Sequence, residues 1–512
     1  MYCLYNLDNG LKLQIFDTFS PLSEYFSYFC GTKIRVMEAI VGRTKEIGQM
    51  AKYMRSGKAE FVALYGRRRV GKTFLVTSYF KNKFDFDVTG IIGGRKDEEL
   101  AAFYTALQHY GYHGPKPKKW LEAFEALRSV LEQKMKKRKG KRCVVFFDEL
   151  PCFDTPKSGF VHALDYFWNS WASRQSEFFL IVCGSATSWM VRNIIDNHGG
   201  LHGRITHELH LKPFTLKETE RFLKKQKSRW TRLSVLQAYM IFGGIPYYLS
   251  MLDVGLSLTE NVDQLFFSED AELRKEYGRL YKSLFTHPER YMDVIKVLSE
   301  NKKGLTRKEI AEKLHVANNG HLSALLEDLV NCDFIRRYDV AGVRVKSNGS
   351  IYQLMDFFTL FYLHFVEGKH RKDPHYWSKI LNTPLQNTWY GLAYERVCMA
   401  HIPQILNALH LDSVLTECYS WRSRDSENGA QIDIVIDRAD DMQNLCEVKY
   451  SRDVYVLTKT EYDKIMKRME TFCLETGTRK GVHIALITTF GIEKSKYSDI
   501  AQNIVNLDDM FI

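Results

Sequence analysis

The apolar positions of this chain form three uninterrupted runs in its first half and alternate with polar positions near its end. The uninterrupted runs are Phe61–Tyr65, Cys143–Phe147 and Phe178–Cys183, and glycine or acidic residues follow each of them. Buried parallel strands read as continuous apolar runs, and ligands lie at the carboxyl ends of such strands. The first half of the chain is therefore predicted to be an α/β domain with a parallel sheet and a site at that edge.

The first run leads into Gly-Arg-Arg-Arg-Val-Gly-Lys-Thr and then into a helix-like apolar pattern. This strand, loop and helix order is typical of a Walker A phosphate loop. Backbone N–H groups and the helix dipole would bind phosphate, Lys72 would reach the β- and γ-phosphates of ATP, and Thr73 would ligate Mg²⁺. The predicted nucleotide-binding residues of the loop are Gly66, Arg67, Arg68, Arg69, Val70, Gly71, Lys72 and Thr73.

Polar residues that follow the other two runs complete the predicted ATP site. Asp148 would hold Mg²⁺ directly or through water, and Glu149 would orient or activate the water that attacks the γ-phosphate. Ser185 is a candidate γ-phosphate sensor, with capping of the next helix as the alternative. Arg204 is a candidate arginine finger, with an ordinary surface arginine as the alternative.

Six motifs resemble, in their order along the chain, the archaeal-type ATPase family, which is similar to the STAND and AAA-like branches of the P-loop NTPases. They are VGR (41–43), GRRRVGKT, VVFFDE, CGSATSWM, HGRITHELHLKPF and GGIPYYL. The resemblance implies an ATP-dependent switch with a mobile helical region that carries Gly243, Gly244 and Pro246. We expect a P-loop ATPase domain with a helical subdomain over residues 37–285.

The next stretch, residues 286–355, has the pattern of a winged helix-turn-helix. Its predicted elements are a helix at Arg290–Ser299, a capping box at Thr306–Glu309, a helix from Asn319, and a hairpin from Asp333–Tyr338 and Ser350–Leu354. The third helix carries His321 and few basic residues, so DNA contact and domain packing are both open. Residues 356–384 are rich in aromatics without interleaved Arg or Lys, which favours a buried connecting helix over a platform for stacking bases.

A second group of carboxylates lies in the last 130 or so residues. Alternation in Gln431–Asp437 predicts Ile432, Ile434 and Ile436 on one strand face and Asp433 on the other. Glu447 and Lys449 share a face of the next strand, and helical spacing places Glu395 on an apolar helix face, where a carboxylate needs a partner or a metal.

These residues resemble the acidic helix residue and the D…ExK signature of the PD-(D/E)XK nuclease superfamily. The resemblance implies an α/β restriction-endonuclease-like domain over residues 385–512, with Glu395, Asp433, Glu447 and Lys449 as catalytic residues. Asp433 and Glu447 would bind Mg²⁺, and the lysine would support the nucleophile or the developing charge. Gln431 stands where relatives often carry an acidic residue.

Composition adds limits to these predictions. The chain has 512 residues, a net charge of +11 and ten cysteines without a CxxC pair, which favours an acidic partner such as DNA and a reduced cytoplasmic protein. No apolar stretch is long enough for a membrane span. The basic run 134–142 is either a solvated helix end or a DNA contact. Residues 1–36 are interpreted as an extension or a mis-assigned start before Met37.

The sequence as a whole predicts a cytoplasmic protein that binds and hydrolyses ATP and controls a C-terminal Mg²⁺-dependent nuclease-like domain acting on nucleic acid. The alternative is a non-cleaving DNA-binding or signalling ATPase whose last domain only binds nucleic acid or a partner. Whether the chain forms a homo-oligomer is left open.

Overall fold

The computed structural model describes residues 40–138, 140–196, 203–338, 350–368, 373–423 and 429–512. The extension predicted at residues 1–36 lies outside them. The strands of the first sheet are β1 (Glu60–Tyr65), β2 (Phe86–Thr89), β3 (Cys143–Asp148), β4 (Phe178–Gly184) and β5 (His207–His210). The helices around it are α1 (Thr44–Met54), α2 (Lys72–Phe80), α3 (Lys96–His109), α4 (Trp120–Lys137), α5 (Phe160–Ser170) and α6 (Thr187–Met190).

All pairings in this sheet are parallel, in the order β2-β3-β4-β1-β5. Alternate residues of β1 enter two separate cores: Val62 and Leu64 pack on one face, and Phe61 and Ala63 on the other. A strand covered on both faces has no polar side to show, which explains its continuous apolar sequence. The predicted parallel α/β sheet is confirmed, and β4 separates the strand before the phosphate loop from the strand before Asp148.

A helical region follows the sheet. Its helices are α7 (Leu216–Lys225), α8 (Arg232–Phe242), α9 (Pro246–Leu249), α10 (Leu258–Val262) and α11 (Glu272–Leu284). Between α8 and α9, Gly243 and Gly244 both have a left-handed φ, of 71° and 64°. A side chain at Gly244 would overlap the carbonyl oxygen of Phe214, so the close approach of these two backbones requires glycine.

The next unit consists of three helices and a small antiparallel sheet. Its elements are α12 (Pro288–Glu300), β6 (Leu305–Thr306), α13 (Arg307–Leu314), α14 (Gly320–Asn331), β7 (Ile335–Tyr338) and β8 (Ile351–Leu354). The sheet order is β6-β8-β7, and the side chain of Thr306 caps α13 in a capping box with Glu309. The assignment of this unit as a winged helix stays a prediction.

The aromatic segment after β8 differs from the single connecting helix that was predicted. It forms α15 (Phe357–Phe361), which continues as one π-helical turn over Tyr362–Val366, and a separate short helix, α16 (Tyr376–Lys379). The π turn is followed by Gly368, whose φ of 98° is incompatible with a continuing right-handed helix. Phe358 and Phe361 are fully buried, so they pack the core and are not a platform for bases.

The C-terminal unit is a mixed sheet with helices on it. Its elements are α17 (Pro384–Ala400), α18 (Ile402–Ala408), β9 (Thr416–Arg422), β10 (Gln431–Arg438), β11 (Met442–Lys449), α19 (Lys459–Thr476), β12 (Gly481–Thr488) and β13 (Ala501–Val505). The order is β13-β12-β11-β10-β9; β9 to β11 pair antiparallel, and β11 to β13 pair parallel. The identity of this unit as a nuclease-like domain stays a prediction.

The predicted alternation along β10 is wrong in one respect. Its pairing with β9 shifts register between Ile432 and Val435, so an extra residue is accommodated there, as in a β-bulge. Ile432 consequently packs with Val435 in one core, while Ile434 and Ile436 pack in another. Asp433 lies within this irregularity, and β-bulges commonly change the direction of a side chain beside an active site.

Candidate nucleotide-binding site and a second acidic cluster

The phosphate loop runs from the end of β1 to the start of α2. Gly66 and Gly71 have φ angles of 142° and 89°, which a residue with a side chain adopts only under strain. The loop folds around Lys72, whose Nζ donates to the carbonyl oxygens of Gly66 at 2.8 Å and Arg67 at 3.0 Å. Burial lowers the pKa of Lys72, and the nearby Glu149 and Asp148 oppose this shift.

The polar residues predicted at the strand ends lie together beside the loop. Thr73 Oγ1 donates to Asp148 Oδ2 at 2.8 Å, and Ser185 Oγ donates to Glu149 Oε2 at 2.8 Å. Burial raises the pKa of Asp148, and the neighbouring Glu149 raises it further. The structure thus brings Lys72, Thr73, Asp148, Glu149 and Ser185 to one edge of the sheet.

The three loop arginines have different surroundings. Arg67 is buried and forms a two-pronged ion pair with Asp356, and Arg69 forms an ion pair with Glu276 at 2.8 Å. Arg68 is half-buried, with no ion pair among the described residues. The side chains of Arg67 and Arg69 are therefore engaged with other parts of the protein, which leaves their backbone groups as the part of the prediction that the structure permits.

Arg43, the arginine of the motif VGR, also contacts the phosphate loop, although the sequence did not indicate a role for it. Its guanidinium donates to the carbonyl oxygens of Val70 at 3.0 Å and Lys212 at 2.7 Å. It thereby ties the phosphate loop to the segment after β5. Arg204, the candidate finger, lies in an exposed turn before β5.

The second cluster lies where α17 meets the open end of the β10–β11 hairpin, with Asp433 near the start of β10 and Glu447 near the end of β11. Burial raises the pKa of Asp433 well above its usual value, and the nearby Glu395 and Glu447 raise it further. Burial also raises the pKa of Glu395. Asp433 Oδ2 accepts the backbone N–H of Val448 at 3.3 Å, and Lys449 Nζ lies 2.9 Å from Glu447 Oε1.

Two cations of this cluster were missed from the sequence. Arg468 on α19 donates to both oxygens of Glu447, at 2.6 and 2.7 Å. Arg336 on β7 donates to Ser420 Oγ at 3.1 Å, and Ser420 in turn donates to the carbonyl oxygen of Asp433. Arg336 comes from a distant element, whereas Arg468 lies on the helix that follows β11, 21 residues from Glu447. No helical or strand period relates either arginine to the carboxylates, so no local pattern indicates them.

The basic run 134–142 is engaged within its own domain. Lys134 and Arg138 contact the carbonyl oxygen and the carboxylate of Asp85, each at 2.6 Å. Arg142 donates to the carbonyl oxygens of Lys58 and Ser176. These contacts favour the interpretation of the run as a helix end over that of a DNA contact.

Two further features bear on metals and membranes. Within the described ranges, no group of three or more His, Cys, Asp or Glu side chains is arranged to hold a metal ion. Among the same residues, no helix has both the length and the apolar character needed to cross a bilayer. The eight cysteines in the described ranges are free thiols.

The parallel sheet, the phosphate loop and the Asp148–Glu149 pair define a P-loop ATPase domain. Residues 40–252 match the family described as an ATPase domain predominantly from Archaea. The chain therefore contains an archaeal-type ATPase domain, as the order of its motifs predicted.

Similar proteins include an uncharacterized protein of Methanocaldococcus jannaschii, which is 26% identical over 334 residues; the match covers 64% of this chain and 68% of that protein. The Walker-type ATPase PABY2304 of Pyrococcus abyssi has a TM-score of 0.46 and 19% identity, covering 64% of this chain and 97% of that chain. The ORC2 protein of Aeropyrum pernix, solved as ADPNP–ADP complexes, has a TM-score of 0.39 and 12% identity, covering 63% and 92%. Structural likeness this weak carries no argument about function.

Proposed function

We propose that this chain is an ATP-hydrolysing switch whose C-terminal unit is a nuclease-like domain acting on nucleic acid. The ATPase part is carried by one observation: Thr73, Asp148, Glu149 and Ser185 form two hydrogen-bonded pairs at the same sheet edge as Lys72. Each residue then has a role that its position permits.

Thr73 and Asp148 fit a magnesium ion. Their hydroxyl and carboxylate oxygens are the hard ligands that Mg²⁺ prefers, and the two side chains lie 2.8 Å apart. When bound, the ion would neutralise charge on the β- and γ-phosphates. Lys72 would exchange its two carbonyl partners for phosphate oxygens, Glu149 would orient the attacking water, and Ser185 would hold Glu149 or sense the γ-phosphate.

A steady-state measurement of ATP hydrolysis tests this part. Lys72→Ala is expected to lower the rate by at least about a hundredfold, because the lysine charge is lost at the phosphates. Lys45→Ala is the matched control, since Lys45 is exposed on α1. Full hydrolysis by Lys72→Ala would show that the nucleotide site is assigned wrongly.

The nuclease-like part is a proposal that rests on the second cluster. Glu395, Asp433 and Glu447 come from three elements; burial raises the pKa of Glu395 and of Asp433, and the nearby Glu447 raises both further. Such a group of carboxylates is a candidate site for a cation. Oxygen ligands of Asp433 and Glu447 suit Mg²⁺, provided that Arg468 and Lys449 release Glu447. The ion would polarise the scissile phosphate, and Lys449 would then be free to face the nucleophile.

The test is incubation of the full chain with single- and double-stranded DNA and RNA, with Mg²⁺ or Mn²⁺, with and without ATP. Metal-dependent cleavage that is lost in Lys449→Ala and kept in Lys494→Ala, an exposed control, would support the proposal. If no substrate is cleaved, the second candidate stands: a DNA-binding or signalling ATPase whose last domain only binds.

The contacts of α14 bear on how nucleic acid would be bound. Asp328 on this helix forms an ion pair with Arg192 of the ATPase domain and accepts a hydrogen bond from Tyr291 at 2.7 Å. Ser188 donates to the carbonyl oxygen of Asp328 at 3.3 Å. A helix docked in this way on the segment after Ser185 supports domain packing as its role, so we assign nucleic-acid binding to the C-terminal unit.

A further inference from the structure

The phosphate loop is anchored to a residue far outside the ATPase family match. Arg67 Nη1 and Nη2 pair with Asp356 Oδ1 and Oδ2, the second pair at 2.9 Å. The two side chains are 3% and 1% exposed. Asp356 lies 289 residues downstream, directly after β8, whereas the family match ends at residue 252.

Each charge of this buried ion pair depends on the other for its neutralisation. Burial would lower the pKa of Arg67, but Asp356 beside it raises that pKa above its usual value, so the pair stays charged. Removal of one member of a buried pair leaves an uncompensated charge and is strongly destabilising. The loop and the segment after β8 therefore hold each other in place.

The anchor acts on the residue that binds phosphate. The backbone carbonyl oxygen of Arg67 accepts a hydrogen bond from Lys72 Nζ at 3.0 Å, so a shift of Arg67 alters the position of Lys72. On the other side, Asp356 Oδ2 also accepts the N–H of Thr359 at 3.0 Å and so caps α15. A single carboxylate thus connects the loop with the start of a buried aromatic helix.

A second arginine of the phosphate loop also forms an ion pair with a residue outside the loop. Arg69 pairs with Glu276 on α11 at 2.8 Å, and its guanidinium lies 3.9 Å from the ring centroid of Tyr247. Glu276 also accepts a hydrogen bond from Tyr248 at 3.2 Å. Two of the three loop arginines are therefore fixed by the helical region and the segment that follows it.

We propose that Asp356 is a positioning residue for the phosphate loop, so that nucleotide affinity depends on the packing of the segment after β8. This inference rests on nucleotide binding by the loop. Because coupling between two sites is reciprocal, bound nucleotide must in turn alter the stability of that packing. The ATPase domain would in this way communicate with the downstream units.

The decisive variant is Asp356→Asn, which keeps the side-chain size and an oxygen to cap α15 but removes the charge. Fluorescence titration of the full chain with mant-ADP is expected to show an affinity at least about tenfold weaker than in the wild type. Arg67→Met should weaken binding similarly, and the double variant should be no worse than either single one, since paired residues are not additive.

Asp263→Asn is the matched control. Asp263 is 4% exposed, and its carboxylate accepts the N–H of Trp377 at 2.8 Å; it caps α16 and does not contact the loop. Its affinity for mant-ADP should stay within about twofold of the wild type. Equal weakening in Asp263→Asn and Asp356→Asn, or an unchanged affinity in Asp356→Asn, would overturn the inference.

Asp356→Glu decides the matter if Asp356→Asn does not fold. It keeps the charge but displaces the carboxylate by one methylene, so weakened binding would support the positioning role and unchanged binding would overturn it. If the wild-type chain itself bound no mant-ADP, the proposed nucleotide site would fail, and this result differs from every outcome that concerns Asp356 alone.

Discussion

The hydroxyl of Ser185 donates to the carboxylate of Glu149, with Oγ 2.8 Å from Oε2 and 3.1 Å from Oε1. The backbone N–H of Ser185 points at the same carboxylate, at 3.3 Å. Glu149 has a left-handed φ of 47°, a strained conformation for a residue with a side chain. The end of β4 therefore holds the carboxylate that follows β3, across the sheet edge at which the γ-phosphate would lie.

Removal of this contact is expected to slow hydrolysis with little effect on binding. Ser185→Ala should lower kcat for ATP by about tenfold with KM within about threefold, because Glu149 loses its orientation, and Glu149→Gln should lower kcat by at least about a hundredfold. Steady-state ATPase assays measure both. Ser129→Ala on α4 is the control, since Ser129 Oγ only donates to Ala126 O within its helix. A fall in kcat of the control equal to that of Ser185→Ala would contradict the role of Ser185.

The parts of the site that were predictable are those whose spacing along the chain is local. Gly66 to Thr73 form one loop, and Asp148 and Glu149 directly follow an apolar strand, so a single stretch of sequence carries each geometry. The contact of Ser185 with Glu149 also depends on the order of the strands, because β4 lies between β1 and β3. The bulge at Asp433 was not predictable, because an alternating pattern gives no sign of an inserted residue.

The parts that were missed are contacts between residues of different elements that no helical or strand period relates. Asp356 and Arg67 are 289 residues apart, and Arg468 meets Glu447 only because α19 packs on β11. A lone Asp at a helix start or a lone Arg on a helix reads as a cap or as a solvated side chain. Their roles depend on tertiary packing, and the spacing of residues along a single sequence does not indicate which distant side chains will meet.

Gly66 is expected to be irreplaceable in the phosphate loop. A side chain there would overlap the carbonyl oxygen of Leu211, and the φ of 142° disfavours any L-residue. Gly66→Ala should lower the free energy of unfolding by about 2–3 kcal/mol and abolish mant-ADP binding. Chemical denaturation and titration measure the two effects.

Gly57→Ala provides the comparison for this effect. Gly57 also has a positive φ, of 69°, but no atom lies within 4 Å of the place that a Cβ would take there, so only backbone strain of about 1 kcal/mol is expected. Intact nucleotide binding by Gly66→Ala would show that the close approach to Leu211 does not set the loop conformation.

His401 makes stability depend on pH. Its Nε2 accepts the backbone N–H of Leu216 at 2.9 Å, its Nδ1 lies 2.8 Å from Val397 O, and burial lowers its pKa from 6.5 to about 4. The unfolded chain thus binds more protons between these two values, so the free energy of unfolding falls as the pH falls from about 6.5 toward about 4.

His401→Gln tests this dependence, because its amide oxygen can accept from Leu216 without titrating. When the pH falls from about 7.5 to about 4.5, the wild type should lose about 2.5 kcal/mol more unfolding free energy than the variant. Denaturant titrations at the two pH values measure it. An unchanged difference would mean that His401 titrates alike in the folded and unfolded chains.

Arg468 is expected to compete with a divalent cation for Glu447. Its Nη1 contacts both carboxylate oxygens, so a metal ion must displace a charge-assisted hydrogen bond worth about 1.5 kcal/mol or more. Arg468→Gln should therefore bind Mn²⁺ about tenfold more tightly at the second cluster. Calorimetric titration measures this, with the heat that persists in Asp433→Asn subtracted as binding elsewhere.

Lys480→Gln separates competition at Glu447 from a general change of charge. Lys480 pairs with Asp437 at 2.6 Å, near the opposite end of β10, so its loss removes the same charge from the same sheet. Its Mn²⁺ affinity should stay within about twofold of the wild type, since both side chains remain partly exposed, at 31% and 28%, and charges at a distance are then screened. Weaker Mn²⁺ binding by Arg468→Gln would contradict the competition and would instead make the arginine a support for the carboxylates.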